Sequence, residues 1–126
     1  MKRIKIALML TLMMFGLQVF SQNNQTRTPQ ERTQNQLKGI NKACNLTKEQ
    51  TPKVEKILLN TNTKIDELKS VKPTYKGERL DKMKAINEEQ EAQLKSVLTV
   101  EQYQKYLDMK EARKEKIKER RENKNE

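Results

Sequence analysis

The 126-residue chain has no His and no Trp, a single Cys, and only three Gly. Without His it lacks the usual general base, an imidazole metal ligand and any Ser-His or Cys-His nucleophile pair. One thiol and no imidazole exclude a structural zinc site. Gly16, Gly39 and Gly77 stand far apart, so no glycine-rich loop cradles a phosphate. The acidic run Glu88, Glu89 and Glu91 has no sequence neighbour that would set two carboxylates apart in acidity, and reads as a solvated helix face. These absences predict a non-enzyme with no cofactor and no metal.

Long apolar runs are scarce as well. The one uncharged run, Ile6 to Phe20, follows Lys2, Arg3 and Lys5 and leads through Ser21 into a Gln/Asn-rich stretch. That order of charged, apolar and small residues is a secretory signal peptide, with cleavage expected after Ser21. The run is fifteen residues long and includes Thr11 and Gln18, short of the roughly 20 apolar residues that a spanning helix needs. No integral membrane segment is expected after processing.

Processing thins the core further. Both Phe residues leave, and Tyr75, Tyr103 and Tyr106 become the only aromatics beside twenty Val, Ile, Leu and Met residues. So few apolar side chains support a lone monomer poorly, and self-association as a homodimer is expected. Removing the three cations of the signal leaves twenty-four Lys and Arg against seventeen Asp and Glu, a net charge of +7. A basic surface suits nucleic acid, anionic membrane or acidic protein, and export makes nucleic acid the weakest of these, so none is expected. Cys44 has no internal disulfide partner. It is either a buried apolar side chain or an intermolecular link in an oxidising compartment.

Periodicity predicts four helices. Residues 22–27 carry no apolar anchor and read as a disordered leader. Thr28-Pro29-Gln30-Glu31 supplies a cap, a first-position Pro and a third-position Glu for a first helix, with Leu37, Ile40, Ala43 and Cys44 at helical spacing. A second helix starts at Thr47, or restarts at Thr51-Pro52, and carries the stripe Val54, Ile57, Leu58, Thr61, Ile65 and Leu68. Pro73 ends it, and residues 72–77 form a loop short enough for an antiparallel helical hairpin. A third helix, about 78–97, presents Leu80, Met83, Ile86, Gln90, Leu94 and Val97. A fourth carries Val100, Tyr103 and Leu107, with Tyr106 and Met109 a little round the face, and fades past Lys110. The helical domain is placed at 28–120 and a disordered charged tail at 121–126.

One pattern occurs twice, at Leu46-Thr47-Lys48-Glu49-Gln50 and at Leu98-Thr99-Val100-Glu101-Gln102. Thr followed three residues later by Gln is a capping box, in which hydroxyl and amide each satisfy a backbone N–H of the first turn. Leu46, Thr47, Gln50, Leu98, Thr99 and Gln102 are therefore helix-start residues, and their spacing puts one break between helices one and two and another between helices three and four. Pro52 makes the first copy less regular.

Two Leu-Thr-x-x-Gln motifs about fifty residues apart, in an exported, basic, helical chain, resemble the Spy/CpxP family of bacterial envelope proteins. The resemblance covers roughly residues 28–112. It implies an all-α fold of four helices forming a long, bent antiparallel helical hairpin that dimerises into a cradle, and a periplasmic location. It also implies an ATP-independent chaperone that holds unfolded or misfolded proteins, or alternatively a regulator restraining the periplasmic domain of an envelope-stress sensor kinase. A structural helical dimer with no client is the third possibility. The absence of His separates this chain from metal-binding relatives. The stripe of Val54, Ile57, Leu58, Ile65, Leu68, Leu80, Met83, Ile86, Leu94, Tyr103 and Leu107 is the expected client-binding or dimer-interface surface.

Overall fold

A computed structural model describes residues 27–125, which form four α-helices: α1 (Pro29–Cys44), α2 (Gln50–Ser70), α3 (Glu78–Val97) and α4 (Val100–Glu122). The expected signal peptide and residues 22–26 of the expected leader lie outside the described residues.

The helix starts follow the local chemistry. At α1, Thr28 Oγ1 accepts from the Glu31 N–H at 3.2 Å while the Glu31 carboxylate accepts from the Thr28 N–H at 3.0 Å, and Pro29 occupies a position whose N–H would have had no helical partner. Asn45, at φ 53°, ends the helix in the left-handed region, where Asn is among the residues that tolerate such a backbone. At α3, Gly77 takes φ 99° immediately before the first turn, a conformation that favours glycine.

α2 starts less simply. The Thr47 hydroxyl and the Gln50 amide form the same reciprocal box, at 3.2 and 3.0 Å, and the Thr51 N–H already donates to the Thr47 carbonyl at 3.1 Å. Pro52 has no N–H to offer the Lys48 carbonyl. Regular helix therefore begins at Gln50 although its cap sits at Thr47.

α1 runs antiparallel to α2, with Arg32 bonded to Asp66 and Asn62 to Gln36, and α2 runs antiparallel to α3, with Lys64 paired to Glu89 and Arg79 bonded to the Val71 carbonyl. The α2–α3 pair is the expected helical hairpin. At each Leu-Thr-x-x-Gln motif the chain reverses, so α1 folds back along α2 and α4 folds back along α1. α3 and α4 touch little.

The core lies at the motif end of the bundle. Ile40, Cys44, Val54, Leu58, Leu94, Leu98 and Tyr106 are buried together, and Leu37, Leu46, Ile57, Val97, Tyr103, Leu107 and Met109 pack on them half-buried. Full burial of a Leu or Val contributes about 1.5–3 kcal/mol, and Val54, Leu58 and Leu94 reach it. Towards the α2–α3 loop the stripe thins: Ile65, Leu68, Met83 and Ile86 are only half-buried.

Two stripe positions differ from expectation. Leu80 is 74 % exposed and Val100 90 % exposed. Leu80 sits in the first turn of α3, and Val100 directly follows the Thr99 cap. At both places helical phase alone predicts a face that no other helix covers. α4 continues to Glu122, twelve residues past Lys110 where its apolar stripe fades, so Arg121 and Glu122 of the expected disordered tail are helical.

Candidate functional site

The two motifs meet. Gln50 Nε2 donates to Gln102 Oε1 at 2.7 Å, and Gln102 Nε2 donates back to Gln50 Oε1 at 2.9 Å. Each glutamine still performs its capping role, Gln102 accepting from the Thr99 N–H at 3.0 Å and Gln50 from the Thr47 N–H at 3.0 Å. Each also reaches the carbonyl ending the preceding helix of the other motif: Gln50 Nε2 donates to Val97 O at 3.2 Å, and Gln102 Nε2 to Cys44 O at 3.3 Å. A primary amide has two donor hydrogens and two acceptor lone pairs, and here both side chains use all of them. The result is a pseudo-twofold lock joining the starts of α2 and α4 to the ends of α3 and α1.

Cys44 is part of this lock. It is 4 % exposed, and its Sγ donates to the Gln102 carbonyl at 3.2 Å. Burial pushes its thiol above the ordinary value, against a smaller opposing pull from Lys105. Of the two readings of the lone cysteine, the buried one holds.

Beyond the lock a groove of about 400 Å3 opens where α3 and α4 separate. Ile40, Leu58, Tyr106 and Met109 form its apolar part, Gln36, Asn87 and Gln90 its polar sides, and Arg113, Lys114 and Ile117 its α4 lip. Lys110 and Glu91 form an ion pair that ties α4 to α3 across it, and the Lys110 ammonium lies 5.7 Å from the centre of the Tyr106 ring. Burial lowers the Lys110 pKa, with Lys114 adding repulsion. Burial raises Tyr106 to about 12, with Tyr103 adding to the shift, so the phenol stays neutral in the groove at any ordinary pH.

A second polar cluster holds α1 to α2. Asn62 is 2 % exposed, and its Nδ2 donates to Thr33 Oγ1 at 3.0 Å and to Gln36 Oε1 at 2.9 Å. Arg32 adds bonds to the Asn62 carbonyl at 3.1 Å and the Asp66 carboxylate at 2.6 Å. No buried side-chain nitrogen or oxygen among the described residues lacks a partner.

Of the sequence-predicted residues, the six motif positions converge on the lock, with Leu98 buried and Leu46 half-buried beside it. Of the stripe, only Leu58 lines the groove; Val54, Leu94, Tyr103 and Leu107 pack in or against the core. Sequence reasoning missed Arg113 and Ile117, although they continue the Tyr106 and Met109 phase of α4. It also missed Asn62, which follows Leu58 by four residues on the stripe. For Arg113 and Asn62 the signal was a polar residue at an inward helical phase, and for Ile117 an apolar one.

Comparison with protein-family models, with curated proteins and with solved structures finds no match in any of the three. Functional assignment therefore rests on the motifs and on the geometry.

Proposed function

We propose that the chain is an ATP-independent chaperone of the bacterial envelope, similar to Spy/CpxP proteins, which holds unfolded or misfolded proteins without enzymatic turnover. The groove carries this reading: an open trough of mixed polar and apolar lining, edged by Arg113 and Lys114, suits segments with exposed aliphatic side chains and nearby acidic residues. The half-buried Ile65, Leu68, Met83 and Ile86 leave an apolar strip on the α2–α3 hairpin that a homodimer would cover.

The test is suppression of light scattering from a chemically denatured protein, without nucleotide. Suppression that weakens as salt rises, and that falls in an R113E/K114E variant, supports the reading. No suppression at several-fold molar excess overturns it. Capture of a sensor-kinase periplasmic domain, without any effect on aggregation, would instead favour the regulatory role. Sedimentation velocity of the processed chain tests the dimer.

A further inference from the structure

The end of the molecule opposite the lock has its own chemistry. Between Lys69 and Lys84 the chain carries six cations, Lys69, Lys72, Lys76, Arg79, Lys82 and Lys84, against two acids. Both acids are engaged locally: Glu78 accepts from the Thr74 N–H and pairs with Lys82 at 2.6 Å, while Asp81 accepts from the Tyr75 hydroxyl at 3.3 Å. Arg79 donates to the Val71 carbonyl at 3.0 Å, which fixes the end of α2 against the start of α3. The loop is thus an ordered, cationic tip.

The same tip exposes apolar side chains. Val71, Tyr75 and Leu80 are 57, 56 and 74 % exposed, three of the five large hydrophobic residues that stand out among the described residues. They stand in the α2–α3 turn and the first turn of α3, and none of them lines the groove beyond the lock. Apolar side chains set among lysines enter the interface of an anionic bilayer readily, their burial adding to the attraction of the cations. A tyrosine ring with a polar hydroxyl suits the headgroup level. Cys44 meets Gln102 while Gly39 lies beside Met109 and Arg113, so α4 runs antiparallel to α1 and its exposed basic half heads towards this end.

We propose that the α2–α3 tip docks on an anionic phospholipid surface, Val71, Tyr75 and Leu80 entering the headgroup region while the surrounding lysines meet lipid phosphates. Attraction of this kind adds with each cation close to the surface and is screened within a Debye length. It does not depend on the groove or on any client. Docking by the tip would hold the molecule end-on, with the lock pointing away from the lipid.

A local reporter tests this on the full chain. Val71→Cys carrying an environment-sensitive fluorophore reports from the tip, since Cys44 is buried, and the tip variants keep the Ile6 to Phe20 run with its flanking cations, so a difference between them and the parent belongs to the tip. Its emission should shift to the blue with phosphatidylcholine vesicles containing phosphatidylglycerol, and not with phosphatidylcholine alone. K72E/K76E should weaken the apparent affinity roughly tenfold or more, and Y75S/L80S should abolish the shift. These residues are exposed, so circular dichroism should be unchanged. No shift on anionic vesicles, or an undiminished one in either variant, overturns the proposal. A shift with an acidic peptide and none with vesicles would also overturn it, assigning the tip to a protein partner.

Discussion

Gln50 and Gln102, fifty-two residues apart in sequence, hydrogen-bond each other in both directions while each caps its own helix. Removing either amide leaves the other with an unmet donor and acceptor in a half-buried site. Gln50→Ala and Gln102→Ala should each destabilise the fold by about 1–3 kcal/mol. The double variant should cost less than the two added, with a coupling of about 0.5–3 kcal/mol. Denaturant midpoints of the four proteins measure this, and strict additivity would contradict the lock.

Thr99 acts only on its own helix, its hydroxyl accepting from the Gln102 N–H at 3.2 Å. Thr99→Ala should lose about 0.5–2 kcal/mol, and Thr99→Ser should recover most of it. A thermal midpoint unchanged in the alanine variant would remove the cap from the account.

Asn62 is a buried amide with two side-chain acceptors on α1. Asn62→Ala should cost about 1–3 kcal/mol, mainly by loosening α1 from α2. Amide exchange of α1 should then accelerate more than that of α3. A uniform acceleration would argue against a role specific to that pair.

Gly39 lies in the middle of α1, and a Cβ there would stand 3.9 Å from Arg113 Nη2 and Met109 Sδ, an ordinary contact distance. Gly39→Ala should therefore stabilise the protein by about 0.5–1 kcal/mol through a better helix interior. A fall in midpoint would reveal a closer approach of α4 than these distances allow.

Glu78 links stability to pH. The hydrogen bond from Lys82, followed by the one from the Thr74 N–H, lowers its pKa to about 2, against an unperturbed glutamate near 4.3. The folded state binds this proton more weakly than the unfolded state, so the stabilisation is complete above about pH 4.3 and is lost as pH falls towards 2. Unfolding midpoints between those values should drop less steeply in Glu78→Gln than in the parent. Parallel curves would mean that other carboxylates govern acid unfolding.

Helix number, helix type and all three capping boxes were legible in the sequence because they depend on chemistry within a few residues: Thr28 with Glu31, Thr47 with Gln50, Thr99 with Gln102, and Pro73 ending α2. The stripe located Val54, Leu58 and Leu94 correctly because one periodic face meets one partner. It misplaced Leu80 and Val100 because phase says which way a side chain points and not whether a neighbour is there. The contact between the two motifs was not legible at all. Capping explains each glutamine completely, so nothing local indicates that the same amide has donors left over for a partner half the chain away. The groove escaped for a related reason, since it depends on α3 and α4 diverging, which neither helix encodes alone.

The lock also sets an order of events on the growing chain. α1, α2 and α3 can form before Gln102 has been made, but at that stage the Gln50 amide and the Cys44 carbonyl lack their last partner, and Ile40 and Leu58 lie uncovered. A chain that ends before residue 102 is therefore a three-helix intermediate with an open apolar face and a half-built polar seam. Arrival of α4 closes both at once, so completion of this protein is a docking step made late and in one piece.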